Sequence, residues 1–198
     1  VQMSNIGSQL TEAFAGLDRT EELLNMPLED DERSREKTLE NIKGDIRFDQ
    51  VSFAYDEGEN VIKNISFEAP SGTVTALVGT SGSGKTTIAG MAASFLNPNE
   101  GTVSIDGVDL GAVTLASFRK HLGVVLQNDF LFEGTIRDNI LFPRPNATEE
   151  QLQLAVQAAH VSEFTDRFEH GLDTTIGERG VKLSGGQQQR IAIARAIL

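Results

Sequence analysis

Eight residues constrain this chain more than any others. Gly79-Thr80-Ser81-Gly82-Ser83-Gly84-Lys85-Thr86 fits the spacing G-x-x-x-x-G-K-[ST]. It follows Val74 to Val78, a nearly continuous apolar run that reads as a strand buried on both faces. It precedes a helical pattern from about Lys85 to Leu96. Glycines permit unusual dihedrals and let the backbone approach a ligand. Consecutive N–H groups can then face one concavity and cradle phosphate oxygens, with the positive end of the helix dipole behind them. Lys85 would bring a charge to β- and γ-phosphates, and Thr87 is placed for an α-phosphate. The Thr86 hydroxyl suits Mg²⁺, a cation that keeps water and phosphate oxygens as its other ligands. A plain Gly/Ser connector accounts for the glycines but not for Lys-Thr at that offset. Gly82-Ser83-Gly84 is not a dinucleotide fingerprint, because Thr87 stands where the third glycine belongs.

Upstream, Ile46, Phe48, Val51 and Phe53 predict a strand with a register break near Gln50. Ile65 and Phe67 predict a second, ending at the turn Pro70-Ser71-Gly72. Val103 and Ile105 predict another, closed by Asp106-Gly107; Leu115 to His121 reads as a short helix and Leu122 to Leu126 as a strand. From residue 128 the strand signals fade, and 128–183 reads as mostly helical. There Thr148-Glu149-Glu150-Gln151 has the form of a capping box before Leu152, Leu154, Ala155, Val156 and Ala159.

Residues 1–24 place Val1, Ile6, Leu10, Phe14, Leu17 and Leu24 at helical spacing, which predicts an amphipathic helix packed on a neighbour and ending near Pro27. Residues 18–40 carry nine acids and four bases, the pattern of a solvated linker. The net charge of −12 argues against a broad electrostatic grip on nucleic acid. With zero cysteines, disulfides and Cys-based zinc sites are excluded. No stretch approaches the roughly 20 apolar residues of a membrane span. His121, His160 and His170 match no site.

A second glycine motif, Leu183-Ser184-Gly185-Gly186-Gln187, precedes the helical pattern Ile191, Ile193, Ala194, Ile197, Leu198. Ser184-x-x-Gln187 is itself a capping-box pattern. An ordinary cap does not need two adjacent glycines, each costing about 1 kcal/mol inside a helix. Two glycines behind a serine bare backbone N–H groups at a helix start, which makes a second anion site.

Taken together, these motifs resemble the nucleotide-binding domain of an ABC transporter of the exporter type, strongly over about residues 44–198. Gly79 to Thr86 resembles the Walker A loop, and Leu183 to Gln187 the signature motif. Gln127 resembles the Q-loop glutamine and Tyr55 the aromatic that stacks on adenine. Glu178 and Arg179, in Gly177-Glu178-Arg179-Gly180, resemble the exporter x-loop, which couples to the membrane domain; Asp129 to Ile136 resembles the segment that follows the Q-loop. Residues 1–43 resemble, by position and character, the end of the last membrane helix and its linker. Each residue also has a plainer reading: Tyr55 as a strand-edge aromatic, Gln127 as a strand end, Glu178-Arg179 as a solvated turn.

The resemblance implies an α/β fold: a P-loop NTPase (ABC ATPase) core with an antiparallel β layer and a helical subdomain, incomplete at the C-terminus. It implies a division into 1–43 (helix end and acidic linker), 44–127 (β layer and partial catalytic core) and 128–198 (helical subdomain with the signature). It further implies ATP and Mg²⁺ as cofactors, with Tyr55, Gly79, Thr80, Ser81, Gly82, Ser83, Gly84, Lys85, Thr86 and Thr87 at the nucleotide. Thr86 and Gln127 would serve the metal, and Lys85 and Gln127 the reaction. A second ABC ATPase domain would pack head to tail, as homo- or heterodimer, so that Leu183, Ser184, Gly185, Gly186 and Gln187 meet its ATP. A transmembrane domain in the same full-length chain would hold the unit at the cytoplasmic face of a membrane and set the transported substrate.

In that family an apolar strand ending in Asp-Glu, a D-loop and a switch histidine follow the signature helix. The sequence stops at Leu198 before any of them, and Glu133 and Glu178 follow no apolar strand. It therefore reads as an excised fragment that binds ATP, hydrolyses it very poorly, and is marginal or aggregation-prone alone, because the Val74–Val78 strand lacks ladder partners. A soluble ABC ATPase acting on nucleic acid or ribosomes fits less well with the acidic balance and the x-loop. A small-molecule kinase leaves Ser184 to Gln187 without a role. A non-catalytic half of a heterodimer stays open.

Overall fold

The computed structural model describes residues 2–26, 29, 35–55, 58–127, 130–177 and 181–198, with backbone alone for 2–11. The elements are α1 (Gln2–Leu24), β1 (Ile46–Phe53), β2 (Ile62–Ala69), α2 (Lys85–Ala92), β3 (Glu100–Ile105), β4 (Val108–Asp109), α3 (Leu115–Arg119), β5 (Gly134–Thr135), α4 (Ile136–Leu141), α5 (Glu149–Ala158), α6 (Ser162–Thr165), β6 (Thr175–Ile176) and α7 (Gly185–Ile197). They form two compact units, Val1–Phe118 and Arg119–Leu198.

The first unit is built on an antiparallel sheet of order β2-β1-β3-β4. The register break expected near Gln50 is a bulge: the β1–β2 pairing shifts between Phe48 and Val51, and Gln50 has φ of 52°. A bulge re-aims the strand so that apolar residues on both sides of it stay inward. Phe48, Val51 and Phe53 are accordingly all buried. Phe48 stacks on its cross-strand partner Phe67 with ring centroids 4.5 Å apart. Asp106 and Gly107 join β3 to β4, both at positive φ (50° and 77°), as a two-residue hairpin turn requires.

The segment expected to be a solvated linker is only partly so. Residues 18–24 complete α1. Arg35 is 9% exposed, its guanidinium donating to Leu110 O at 3.0 Å, Val113 O at 3.1 Å and Asn97 Oδ1 at 2.9 Å. Lys37 N–H donates to Ala112 O, and Lys37 O accepts from Thr114 N–H. Enough carbonyls converge on one guanidinium to offset its desolvation, so a charged sequence can dock. Asp106 then gathers the next residues, accepting from the N–H groups of Lys43 (2.7 Å), Gly44 (3.0 Å) and Asp45 (2.9 Å).

Three expectations are corrected. Val74 to Val78 and Leu122 to Leu126 form no strand and carry no ladder among the described residues, and Val74 and Val78 are 98% and 93% exposed. Their apolar runs signal double burial, but a strand needs hydrogen-bonding neighbours to realise it. The apolar stripe of α1 finds no cover among the described residues, with Phe14 and Leu17 60% and 63% exposed. Residues 128–183 read as mostly helical, but helices cover only Ile136–Leu141, Glu149–Ala158, Ser162–Thr165 and the short turn Gly171–Asp173, under half of the described residues there, and the segment also includes the antiparallel pair β5–β6.

The second unit packs its helices on one core of Ile136, Ile140, Leu152, Val156, Val161, Phe164, Ile176, Ile191 and Ala194. Thr148 and Gln151 close a reciprocal capping box at the start of α5. Leu152, Ala155, Val156 and Ala159 face inward, whereas Leu154 falls off the stripe and is exposed.

Asp106 gives a pH prediction. Burial raises its pKa, but the backbone N–H bonds of Asp45, Lys43 and Gly44 outweigh that, and the folded value lies below the ordinary 3.8. A carboxylate with a lowered folded pKa adds stability above its unfolded pKa and loses it as pH falls through the folded value. Asp106→Asn should therefore destabilise by about 1 kcal/mol at pH 7, a modest figure because the group is largely solvated. In urea unfolding, the gap from wild type should close below about pH 4.

Candidate nucleotide-binding site

The first turn of α2 sets this site apart. Its N-cap is Gly84, left-handed at φ 85° and ψ 6°, with no side-chain capping bond. The helices α4, α5 and α7 instead all begin with reciprocal capping boxes, at Thr135, Thr148 and Ser184. An α-helix leaves its first N–H groups without intrahelical partners. At α2 no side chain answers them from the cap. Gly82 is also left-handed at φ 81°. A Cβ on Gly84 would strike the Ile62 side chain, and one on Gly79 would sit 2.6 Å from Ser83 Oγ. Gly84 and Gly79 thus have no room for a side chain, the first because it packs against β2 and the second because the loop folds back on it.

Lys85 lies over the loop. Its Nζ donates to Thr80 O at 2.6 Å, Gly79 O at 3.0 Å and Ser83 Oγ at 3.2 Å. Ser83 N–H donates to Thr80 O, closing a turn that holds Ser81 and Gly82 between them. The ammonium is thereby held where a phosphate oxygen, a stronger acceptor than a peptide carbonyl, could recruit it. Thr86 is exposed one position on and offers a single hydroxyl oxygen, a fit for Mg²⁺ in company with phosphate and water.

Tyr55 belongs to the same locality. Its ring is 60% exposed and meets Phe53 edge-on at 4.9 Å, while its hydroxyl pairs with Thr87 Oγ1 at 3.0 Å. Thr87 is 4% exposed. The aromatic just past β1 is therefore anchored to the helix that starts at the loop, with one ring region left open. The sequence did not signal the Tyr55–Thr87 bond, since the two residues are far apart along the chain.

The second unit carries the other candidates. Gln127 is exposed, just after the irregular segment 122–126. Ser184 caps α7: its N–H donates to Gln187 Oε1 at 2.8 Å and its Oγ accepts from Gln187 N–H at 3.4 Å. The capping-box reading holds, and there is open space beside Gly185 and Gly186, where a Cβ would meet nothing within 4 Å. The protein's own packing thus does not require those glycines. Leu183 lines a cavity of about 490 Å³ with Phe130, Phe132, Val181 and Gln188. Glu178, Arg179 and Asp129 lie outside the described residues. Asn139 was not singled out from the sequence. The available signal was a polar side chain flanked by the inward-facing Ile136 and Ile140 of a short amphipathic helix.

The fold and these motifs define a P-loop NTPase of the ABC ATPase type. Residues 62–198 match the family model described as ABC transporter, and the chain belongs to that family. It is 46% identical over 162 residues to an uncharacterised ABC transporter ATP-binding protein, YwjA, of Bacillus subtilis, covering 82% of this chain and 28% of that protein. It is 43% identical over 198 residues to an ATP-dependent lipid A-core flippase of Pectobacterium atrosepticum, covering 99% of this chain and 34% of the flippase. Among solved structures it resembles a bacterial Atm1-family ABC exporter with ATP bound, with a TM-score of 0.84 and 37% identity over 94% of this chain and 33% of that one. The chain thus spans about a third of the length of the curated relatives it matches, and corresponds to the ABC ATPase domain of exporter-type transporters. Among the described residues no helix is long and apolar enough to cross a membrane.

Removing the cap tests the structural half of the signature motif. Ser184→Ala should cost about 1 kcal/mol of stability in urea unfolding, and Ser184→Gly only a few tenths.

Proposed function

We propose that these residues form the ATP-binding and ATP-hydrolysing unit of a transporter that drives export across a membrane through ATP-driven dimerisation. The observation that carries the reading is the start of α2, a helix N-terminus capped by a left-handed glycine and no side chain, with Lys85 folded over it. In this reading the backbone of residues 79–87 holds the phosphates and Lys85 bridges the β- and γ-groups. The open ring of Tyr55 takes the adenine. Thr86 and Gln127 would hold Mg²⁺, which when bound would supply positive charge beside the transferred phosphoryl group, and Gln127 would orient the attacking water.

A second ABC ATPase domain, from the same or a different chain, packs head to tail. The open faces of Gly185 and Gly186 and the Ser184 hydroxyl then close on the partner's ATP, with Leu183 and Gln187 beside them. Glu178 and Arg179 meet the transmembrane domain of the full-length protein at the cytoplasmic face of the membrane. The relatives described as flippase and exporter support a transport role. We assign 1–43 to the connection from the membrane domain, 44–127 to the β layer and core, and 128–198 to the helical subdomain.

Taken as a polypeptide by themselves, the 198 residues bind ATP but barely hydrolyse it. Phosphoryl transfer needs a placed metal and an oriented nucleophile, and neither Glu133 nor Glu178 follows an apolar strand that would aim it.

Lys85→Ala should abolish measurable Mg-ATP binding in a fluorescence titration; unchanged affinity would sink the assignment. Tyr55→Phe keeps the ring and should stay within about threefold of wild type, whereas Tyr55→Ala should weaken binding about tenfold, as expected for a lost stacking surface.

A further inference from the structure

We infer that Asn99 is a positioning residue for Tyr55: its side chain fixes the Phe53–Ala54 peptide and so aims the tyrosine ring that takes the base. The inference rests on the role proposed above for Tyr55.

The Phe53–Ala54 peptide lies where the sheet runs out. The strand β1 pairs with β3 as far as Ser52↔Glu100 and with β2 as far as Phe53↔Ile62. Continuing the β3 register would set Ala54 opposite Pro98, which has no N–H to carry the ladder further. Two bonds outside the ladder take over. On the β2 side, Phe53 O accepts from Val61 N–H at 2.8 Å. On the β3 side, Ala54 N–H donates to Asn99 Oδ1 at 2.6 Å. Both fall on one rigid peptide plane, the first at its carbonyl and the second at its N–H. Asn99 is itself tied back, its own N–H donating to Ser52 O at 3.0 Å.

Only the dihedrals of Ala54 and Tyr55 separate that plane from the ring. The ring then has two further contacts, the edge of Phe53 at 4.9 Å and, through its hydroxyl, Thr87 Oγ1 at 3.0 Å. The end of β1, the residue before β3 and the helix α2 thus converge on one side chain that is still 60% exposed. An exposed side chain ordinarily hops between rotamers within nanoseconds. A ring held in one orientation spares the ligand the cost of ordering it. Asn99 is exposed and stands outside the core. Its side chain therefore decides the direction in which the chain enters Tyr55 more than it decides stability.

The test measures equilibrium binding to the full-length protein reconstituted in lipid vesicles, with Mg²⁺ withheld so that no hydrolysis intervenes. Each variant is titrated with ATP and, separately, with inorganic triphosphate, which has no base. Asn99→Ala removes the acceptor and should weaken ATP binding about fivefold, the scale of one lost hydrogen bond, while triphosphate stays within about twofold. Asn99→Leu, similar in size but without an acceptor, takes its place if the Ala variant does not fold. Asn99→Asp keeps an oxygen within reach of Ala54 N–H and should restore ATP binding to within about twofold of wild type. Asn99→Ala combined with Tyr55→Ala should bind ATP within about twofold of Tyr55→Ala alone, because the first acts through the second. Unchanged ATP affinity without the acceptor, an equal loss for triphosphate, no rescue by Asp, or losses that multiply in the double variant each overturn the role of Asn99. If Tyr55→Ala binds ATP as wild type does, the adenine role of Tyr55 itself falls. If Tyr55→Ala is weak and Asn99→Ala is not, this inference alone falls.

Discussion

The first turn of α2 needs hydrogen-bond acceptors that the helix itself cannot supply, and the surrounding structure is arranged around that need. Gly84 turns the chain into the helix at a left-handed φ of 85° that side-chain-bearing residues rarely adopt. It also lies against Ile62, the first residue of β2, so the sheet sets where the turn can sit. The turn that opens the helix is thereby fixed by the protein itself. Such preorganisation spares the site the cost of ordering a loop on binding.

The two helix starts that carry the glycine motifs solve opposite problems. At α2 no side chain caps the helix. At α7 the cap is complete, with Ser184 and Gln187 answering one another. What α7 leaves open is surface, since Gly185 and Gly186 have free space where side chains would project. The first arrangement suits a ligand enclosed by its own loop; the second suits an outside surface brought against the helix end.

Polar side-chain anchors, buried at Arg35 and Asn139 and largely solvated at Asp106, hold the irregular segments in place. Arg35 fastens the charged N-terminal segment to carbonyls near Leu110 and Val113, and Asp106 collects three successive N–H groups just before β1. Asn139 does the same for the backbone of Phe132 and Thr135 ahead of its own helix. In each case one side chain replaces the ladder that a regular element would provide. A low-dielectric interior makes a fully satisfied group such as Asn139 stabilising and a half-satisfied one costly.

The sequence by itself determined whatever depends on neighbours along the chain. The Gly79–Thr86 loop, the bulge at Gln50, the hairpin turn at Asp106-Gly107 and the capping boxes at Thr148 and Ser184 were all legible. Each is a short-range rule about dihedrals or about bonds spanning three or four residues. Only the tertiary structure decided what depends on partners far away. It docked Arg35 in a segment whose charge pattern reads as solvated. It joined the Tyr55 hydroxyl to Thr87, and it made Asn139 and Arg195 one network across 56 residues. It also left Val74 and Val78 exposed although their pattern reads as doubly buried. The physical reason is common to all four. Periodicity records which surfaces a segment can bury, whereas burial and hydrogen bonding are realised only when another segment arrives with matching shape and donors.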